Sequence, residues 1–552
     1  MNRMFKNILL LFALLGLLFL VACGGDSDDA SSDDTSSDDT ETEETDEPEE
    51  ADDADEEESE EADESASGGV LKIAMDAPPP TLDQPSSTAV AARDTSRLIF
   101  ETLYTTNSKH EAVPMLAEGV ETDDNQTFVF KLREGIMFHN GEEMTADDVV
   151  ASMERWLELS TITGNIFNDA TWEAEDDYTV VLELAEPSSL TLDTMASAKQ
   201  AAAIMPKEIV DSASADGVDE YIGTGPYKFE EWVQDQYILF TKYDDYSPLD
   251  EEADGLGGKK EALVDEIYFY LVPDTSTRVA GLQTGEYDFA YGISYDNYDQ
   301  FVDDPNFEVI LTPSANEIIG FNQVEGIATD FKIREAVNTA VDNDEIMMAA
   351  FPNEDFYWLD SGYMDMHIEN WASTEGSEYY NQNDLEKAKE LLEESGYDDE
   401  EFKILTTRDY DHHYNVGVVL HEQLTQIGMN AELVVVDWPT LLELREEDFS
   451  AWDVFITSSS TVSTPPQLLA LSQTWAGGVD DEHVEDLMAQ IEKAPTIEEA
   501  QDLWDELQLY AWEELLPVIN VGGYHSLYGH STDVSGVTTT SGPIFWNVTV
   551  SE

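Results

Sequence analysis

Residues able to do covalent or metal chemistry are few in this chain, and their spacing does not suit catalysis. No Gly-x-Ser-x-Gly elbow lifts a serine out of a sharp turn, and His421-Glu422 lacks the second histidine of a zinc-protease helix. Gly223-Thr224-Gly225-Pro226 is followed by no lysine of a phosphate loop. His412 and His413 are adjacent imidazoles, and neighbours in sequence hold a metal only with ligands brought from elsewhere. Asp250, Glu252, Asp254, Gly255 and Glu261 match the spacing of a calcium loop. However, Gly257 takes its hydrophobic position and no flanking helices are evident. Cys23 is the only cysteine, so no disulfide forms within one chain and thiol redox chemistry has no resolving partner. No enzyme, cofactor or metal centre is expected.

Cys23 has another use. Arg3 and Lys6 precede an apolar run from Ile8 to Ala22, too short for the roughly 20 residues of a spanning helix, which leads into Leu20-Val21-Ala22-Cys23-Gly24. The tetrad resembles a bacterial lipobox, which implies cleavage after residue 22 and lipid on Cys23, two acyl chains or more being needed to hold stably. Residues 1–22 are thus read as a lipoprotein signal peptide. From 23 to 69 the chain is almost wholly Asp, Glu, Ser, Thr, Ala and Gly, without a base or an aromatic residue. Such a stretch cannot bury enough apolar surface to order itself, and is expected to be a self-repelling spacer.

The spacer does not account for the charge. Of 121 acidic residues 24 lie between Asp26 and Glu64, which leaves the body 97 acids against 22 bases. A body this acidic repels itself unless concentrated salt shortens the screening length, to about 3 Å at 1 M, so a halophilic source is expected. Nucleic-acid binding, which needs a basic surface, is excluded.

The candidate elements are of both kinds. Val70–Met75, Phe128–Leu132, Thr179–Leu184 and Ile267–Val272 read as strands. Ala146–Leu157, Leu385–Glu394, Val416–Ile427 and Glu498–Glu514 read as helices, with caps at Thr145 and Asp384 and glycine stops at Gly396 and Gly428. The interleaving of the two indicates an α/β fold.

Several segments stand in a telling order: Thr81-Leu82-Asp83, Ile99-Phe100-Glu101-Thr102-Leu103-Tyr104, and Thr127 to Gly141 running on through Thr145-Ala146-Asp147-Asp148 to Arg155. Then come Gly223 to Phe229, Val272 to Arg278, Leu282 to Asp288, Ile333 to Asn338, Gln423 to Gly428 and Val436-Asp437-Trp438. In this order the chain resembles the family 5 extracellular solute-binding proteins, the dipeptide-, oligopeptide- and nickel-binding components of ABC importers.

The resemblance implies a two-lobe clamp of the large, cluster C periplasmic-binding-protein type. Lobe I would span 70–272 with an extra subdomain, lobe II 273–517, and 518–552 would return to lobe I. The implied molecule is a lipid-anchored monomer on the outer face of the cell membrane, or in the periplasm of a cell with an outer membrane. It would pass a peptide or similar solute to permease and ATPase subunits. A surface sensor or adhesin without a transport partner is the alternative.

Position by position, the resemblance puts Arg408 where peptide binders grip the ligand carboxylate, and a guanidinium can do so with two parallel hydrogen bonds. Thr461 stands where dipeptide binders carry an acid for the ligand ammonium. A hydroxyl cannot neutralise that charge. Tyr410, Trp438 and Trp475 are candidate stacking walls, and Asn322 lies on a strand the family aims at the cleft. Trp156, Trp504 and Trp512 fall in helical patterns and belong to the core.

Overall fold

The computed structural model describes residues 68–214 and 217–551; Cys23, the leader 1–22 and the acidic stretch as far as residue 67 lie outside the described residues. Val70–Met75 is a strand with parallel neighbours on both sides, Glu266–Leu271 and Phe289–Ala290. Leu71, Ile73 and Met75 enter one core while Ala74 enters another, as expected of a central strand covered on both faces. Tyr237–Lys242 and Tyr227–Val233 extend this half of the sheet antiparallel. The other half consists of Glu401–Thr407, Asn430–Val436 and Val454–Ser460.

Two long antiparallel strands, Phe307–Phe321 and Val518–Ser531, belong to both halves. One end of the pair joins Phe289–Ala290 through Gly529 and His530, and the other joins Val454–Ser460 through Ala315 to Phe321. The register of the pair slips at Pro313/Ala315 and again at Glu317/Ile318. Such bulges bend a strand pair, and here they fall where the sheet passes from one half to the other.

Past Val272-Pro273-Asp274, where the resemblance implies that lobe I ends, the next strand still pairs with the first half of the sheet. Asp274 accepts the Thr277 N–H at 2.8 Å and caps a helix, Thr275–Thr284, after which the chain rejoins the first half at Phe289. Arg278 ties this return down, donating to the carbonyls of Val272 (2.7 Å), Pro273 (2.9 Å) and Tyr291 (2.9 Å). Val518, immediately after Leu516-Pro517, begins the second of the two long strands.

The helices follow their local signals. Ala146–Leu159 starts where the Thr145 N–H donates to Asp148 at 2.8 Å, and Leu385–Ser395 where Asp384 accepts the Lys387 N–H. Gly396 and Gly428 take the left-handed conformation that ends Leu385–Ser395 and Asp411–Ile427. The last helix stops at Tyr510, short of the expected Glu514, because a wider turn follows over Ala511–Leu515.

Gly223 and Gly225 are needed for closeness and not for a left-handed turn. A Cβ on Gly223 would lie 2.2 Å from the Ile99 carbonyl, and one on Gly225 would lie 2.5 Å from that of Leu98. His139 fastens the same loop through a 2.9 Å hydrogen bond to the Gly225 carbonyl.

A second sheet, in the order Ala117–Glu121, Thr127–Leu132, Thr179–Glu183, Thr171–Asp176, forms with the Ala146–Leu159 helix a separate layer. Its core continues without a break into the helices Glu482–Glu492 and Ile497–Tyr510, and holds Trp156, Trp504 and Trp512 fully buried. Hydrogen bonds fasten the join: Ser189 N–H to Ala494 O (3.0 Å), Asn125 Nδ2 to Pro495 O (2.8 Å) and Asn165 Nδ2 to Glu492 Oε2 (3.1 Å). Among the described residues no helix is long and apolar enough to cross a membrane.

Candidate functional site

Between the two halves lies a cavity of about 880 Å³, at the upper end of the roughly 300–1,000 Å³ usual for small-molecule sites. The first half lines it with Met75 to Pro78, at the carboxyl end of the Val70–Met75 strand, and with Lys199. The second half contributes Asp365 to Glu369, Ser458 and Thr461, and Tyr524 comes from the long return strand. Carboxyl ends of strands leave such crevices open, because the chain turns away there.

Three carboxyl groups line the wall, Asp76, Glu369 and Asp365, and of these only Asp365 is almost fully buried. The Thr461 hydroxyl donates to its Oδ2 at 2.9 Å, while the His367 ring (2.8 Å) and backbone N–H (2.9 Å) meet its Oδ1. Burial works against ionisation, but the hydrogen bonds from His367 and Thr461 prevail and hold the carboxyl below its ordinary value. His367 is pushed up in turn, chiefly by its hydrogen bond to Asp365. Lys199, on the same lining, is half-buried with no partner for its ammonium among the described residues, and burial lowers its affinity for a proton.

Of the six residues expected to contact a ligand, Thr461 alone lines this cavity. Arg408 is on the surface, where its guanidinium stacks 4.5 Å over the Tyr414 ring of the following helix and donates to the Tyr414 hydroxyl at 2.7 Å. Tyr410 and Trp438 do come together, edge to face at 5.3 Å. Trp475 packs on Phe455 and over Gly320. Asn322 is fully buried, giving its amide to the Phe449 and Trp452 carbonyls and taking the Val324 and Glu325 N–H groups. All four of its hydrogen-bonding positions are used within the fold. The 250–261 loop does not gather its acids: Asp254 accepts the Ser108 N–H, and Lys259 pairs with Glu261. Asp365 and Lys199 were missed by sequence reasoning; neither belongs to a motif, although a lysine in so acidic a body is a signal in itself.

Behind the wall, Ser458 donates to the buried Glu317 at 3.0 Å and lies 3.0 Å from His413 Nε2, while the Tyr524 hydroxyl donates to Ser458 at 3.1 Å. Burial drives the Glu317 carboxyl well above its ordinary range, and lowers His412 to about 4 and His413 to about 3.

Comparisons with known proteins agree on one family. Residues 111–479 match the model of the bacterial extracellular solute-binding proteins, family 5. A probable peptide ABC transporter periplasmic-binding protein of Sinorhizobium fredii is 28% identical over 485 residues, covering 84% of this chain and 91% of that protein. The oligopeptide-binding protein AppA of Bacillus subtilis is 25% identical over 426 residues, 72% of this chain and 75% of its own. Its crystal structure with a nonapeptide superposes with a TM-score of 0.69 at 22% identity, over 86% and 97% of the two chains. The substrate-binding protein CtaP of Listeria monocytogenes does so with a TM-score of 0.74 at 20% identity, over 85% and 95%.

Proposed function

The chain belongs to the family 5 bacterial extracellular solute-binding proteins, and from that premise we propose that it captures short peptides with a free amino terminus for an ABC importer. The observation that carries this reading is the cavity of about 880 Å³ walled by both halves, with the Asp365 carboxylate and the unpartnered Lys199 both on its lining. A zwitterionic peptide presents the matching charges, its ammonium to Asp365 and Thr461 and its carboxylate to Lys199. Thr461 then keeps the place that the resemblance gave it, as a hydroxyl orienting an acid that arrives from another segment. On this reading no ligand contact falls to Tyr410, Trp438, Trp475, Asn322 or Arg408, none of which lines the cavity.

Closure follows from the same arrangement. A solute that touches both halves stabilises the closed form by its differential affinity for it, and the closed form is what a permease can recognise. The bonds between the second sheet and residues 492–495 fit a closed state. A thermal-shift screen of short peptides tests the reading. Free-amine peptides are expected to raise the melting temperature, and no response to any peptide, with a response to sugars or opines, would overturn it.

Lipid on Cys23 and the acidic spacer fit this role, a tether leaving the clamp free to dock. Cys23→Ala is expected to move the protein from the membrane to the soluble fraction; a variant that stays with the membrane refutes the tether. With a net charge of −97 on the whole chain, the melting temperature is also expected to climb as salt rises into the molar range. A flat salt response would speak against a halophilic source.

A further inference from the structure

Glu317, His412 and His413 place ligating atoms within 4.8 Å of one another, and they come from different parts of the chain. The two histidines open the Asp411–Ile427 helix, and Glu317 sits on the long Phe307–Phe321 strand at its second register slip. His413 Nε2 is 3.6 Å from Glu317 Oε2, and the two imidazole rings are 4.2 Å apart, edge to face. Three buried atoms in this group have no hydrogen-bond partner: Glu317 Oε1, His412 Nε2 and His413 Nδ1. Glu317 is completely buried. Each buried polar atom without a partner is costly, and three such atoms side by side call for an occupant.

We propose that Glu317, His412 and His413 form a binding site for one divalent transition-metal ion of the zinc class. The donor set, two imidazoles and one carboxylate, suits zinc and its neighbours and does not suit calcium or magnesium, which take oxygen ligands. Tetrahedral zinc at 2.0–2.1 Å from each ligand needs donors roughly 3.3–3.4 Å apart. The pair nearest that spacing, Glu317 Oε2 and His413 Nε2 at 3.6 Å, now shares the Ser458 hydroxyl, which an ion would displace, and side-chain rotation would bring in the unpartnered His412 Nε2 from within 4.8 Å. The ion would fasten the start of the Asp411–Ile427 helix to the strand that links the two halves. Ser458 and Tyr524, which bond to the cluster from the cavity side, would feel its presence. This is a resident ion behind the cavity wall, and the inference does not depend on which solute the cavity takes.

The test uses the full-length protein, stripped with a chelator and kept in molar sodium chloride with excess magnesium to occupy surface carboxylates. Zinc titration by calorimetry is expected to show one tight site per chain and a higher melting temperature. Groups that only hydrogen-bond to a metal's ligands are each worth about 10- to 100-fold in affinity, so loss of a direct ligand in His412→Ala or Glu317→Gln should weaken the site by at least tenfold. The half-exposed position of His412 makes its variant the safer for folding, which its zinc-free melting temperature would verify. A stripped wild-type protein without a one-to-one site, a site abolished by magnesium, or equal zinc affinity in folded His412→Ala would each overturn the proposal.

Discussion

Arg155→Ala is expected to destabilise the body by about 3–5 kcal/mol, the range for removing one partner of a buried ion pair. Arg155 grips Asp83 with both terminal nitrogens, one at 2.9 Å, and neither side chain is more than a tenth exposed. The loss comes from the carboxylate left behind, not from the pair itself, whose desolvation and attraction nearly cancel. Double replacement by apolar residues of similar volume, Asp83→Leu with Arg155→Met, should therefore cost less than Arg155→Ala alone. Salt separates this pair from the surface. Exposed pairs such as Lys332–Glu394 weaken in molar salt, whereas the buried pair is little screened, so the loss in Arg155→Ala should persist there. Denaturant melts of the single and double variants at low and high salt check this, and a double variant worse than the single one would refute it.

Asp83 and Arg155 also show what the chain discloses before it is folded. Both stand in segments that carried the family resemblance, but nothing in sequence says that they meet. Local physics was legible: the Thr145 and Asp384 caps and the Gly396 and Gly428 stops fix helix ends within a few residues, because each acts on its own turn. The two long linking strands were not. Phe307–Phe321 contains Pro313, and Val518–Ser531 contains two adjacent glycines, Gly522 and Gly523, so both look broken to a reader of propensities. They are held by pairing to each other over nearly their whole length, a non-local cause.

The candidate site divides along the same line. Thr461 could be placed by its neighbours in sequence, and its missing charge could be noticed. Asp365 could not, since it lies 96 residues away in an irregular stretch and is one of 97 acids in the body. His412-His413 were visible as a pair, whereas Glu317 had no mark to join it to them. Arg408 drew attention as a rare cation, and the fold gives it a surface partner in Tyr414.

Asp365→Asn is expected to weaken binding of a free-amine peptide by roughly 30-fold or more, the lower end of the 2–5 kcal/mol that follows truncation of a buried, hydrogen-bonded charge pair. The amide keeps the shape and can still bond Thr461, so only the charge is removed. The same peptide with an acetylated amino terminus should bind the wild type weakly and the variant no worse. The pH dependence has a definite sign. His367 is held protonated to a higher pH than usual and competes with the ligand ammonium for Asp365. Affinity should therefore rise with pH as the imidazolium is lost, then fall once the peptide amine itself deprotonates, near 7.7–8.0. Asp360, His110 and His525 lie close enough to feel the same charges and will broaden the rise. Without ligand the signs differ. The raised His367 contributes stability fully present below about 6.5 and lost as pH climbs through its folded value, while the depressed Asp365 contributes stability present above about 3.9 and lost as pH falls through its own. The free pair is thus most stabilising in the weakly acidic range where the ligand is held least well. His367→Gln should flatten the rise in affinity while leaving Asp365 charged. Titration calorimetry from pH 5 to 9 with the free and acetylated peptides measures both effects, and equal affinity for the two peptides in the wild type would remove Asp365 from the site.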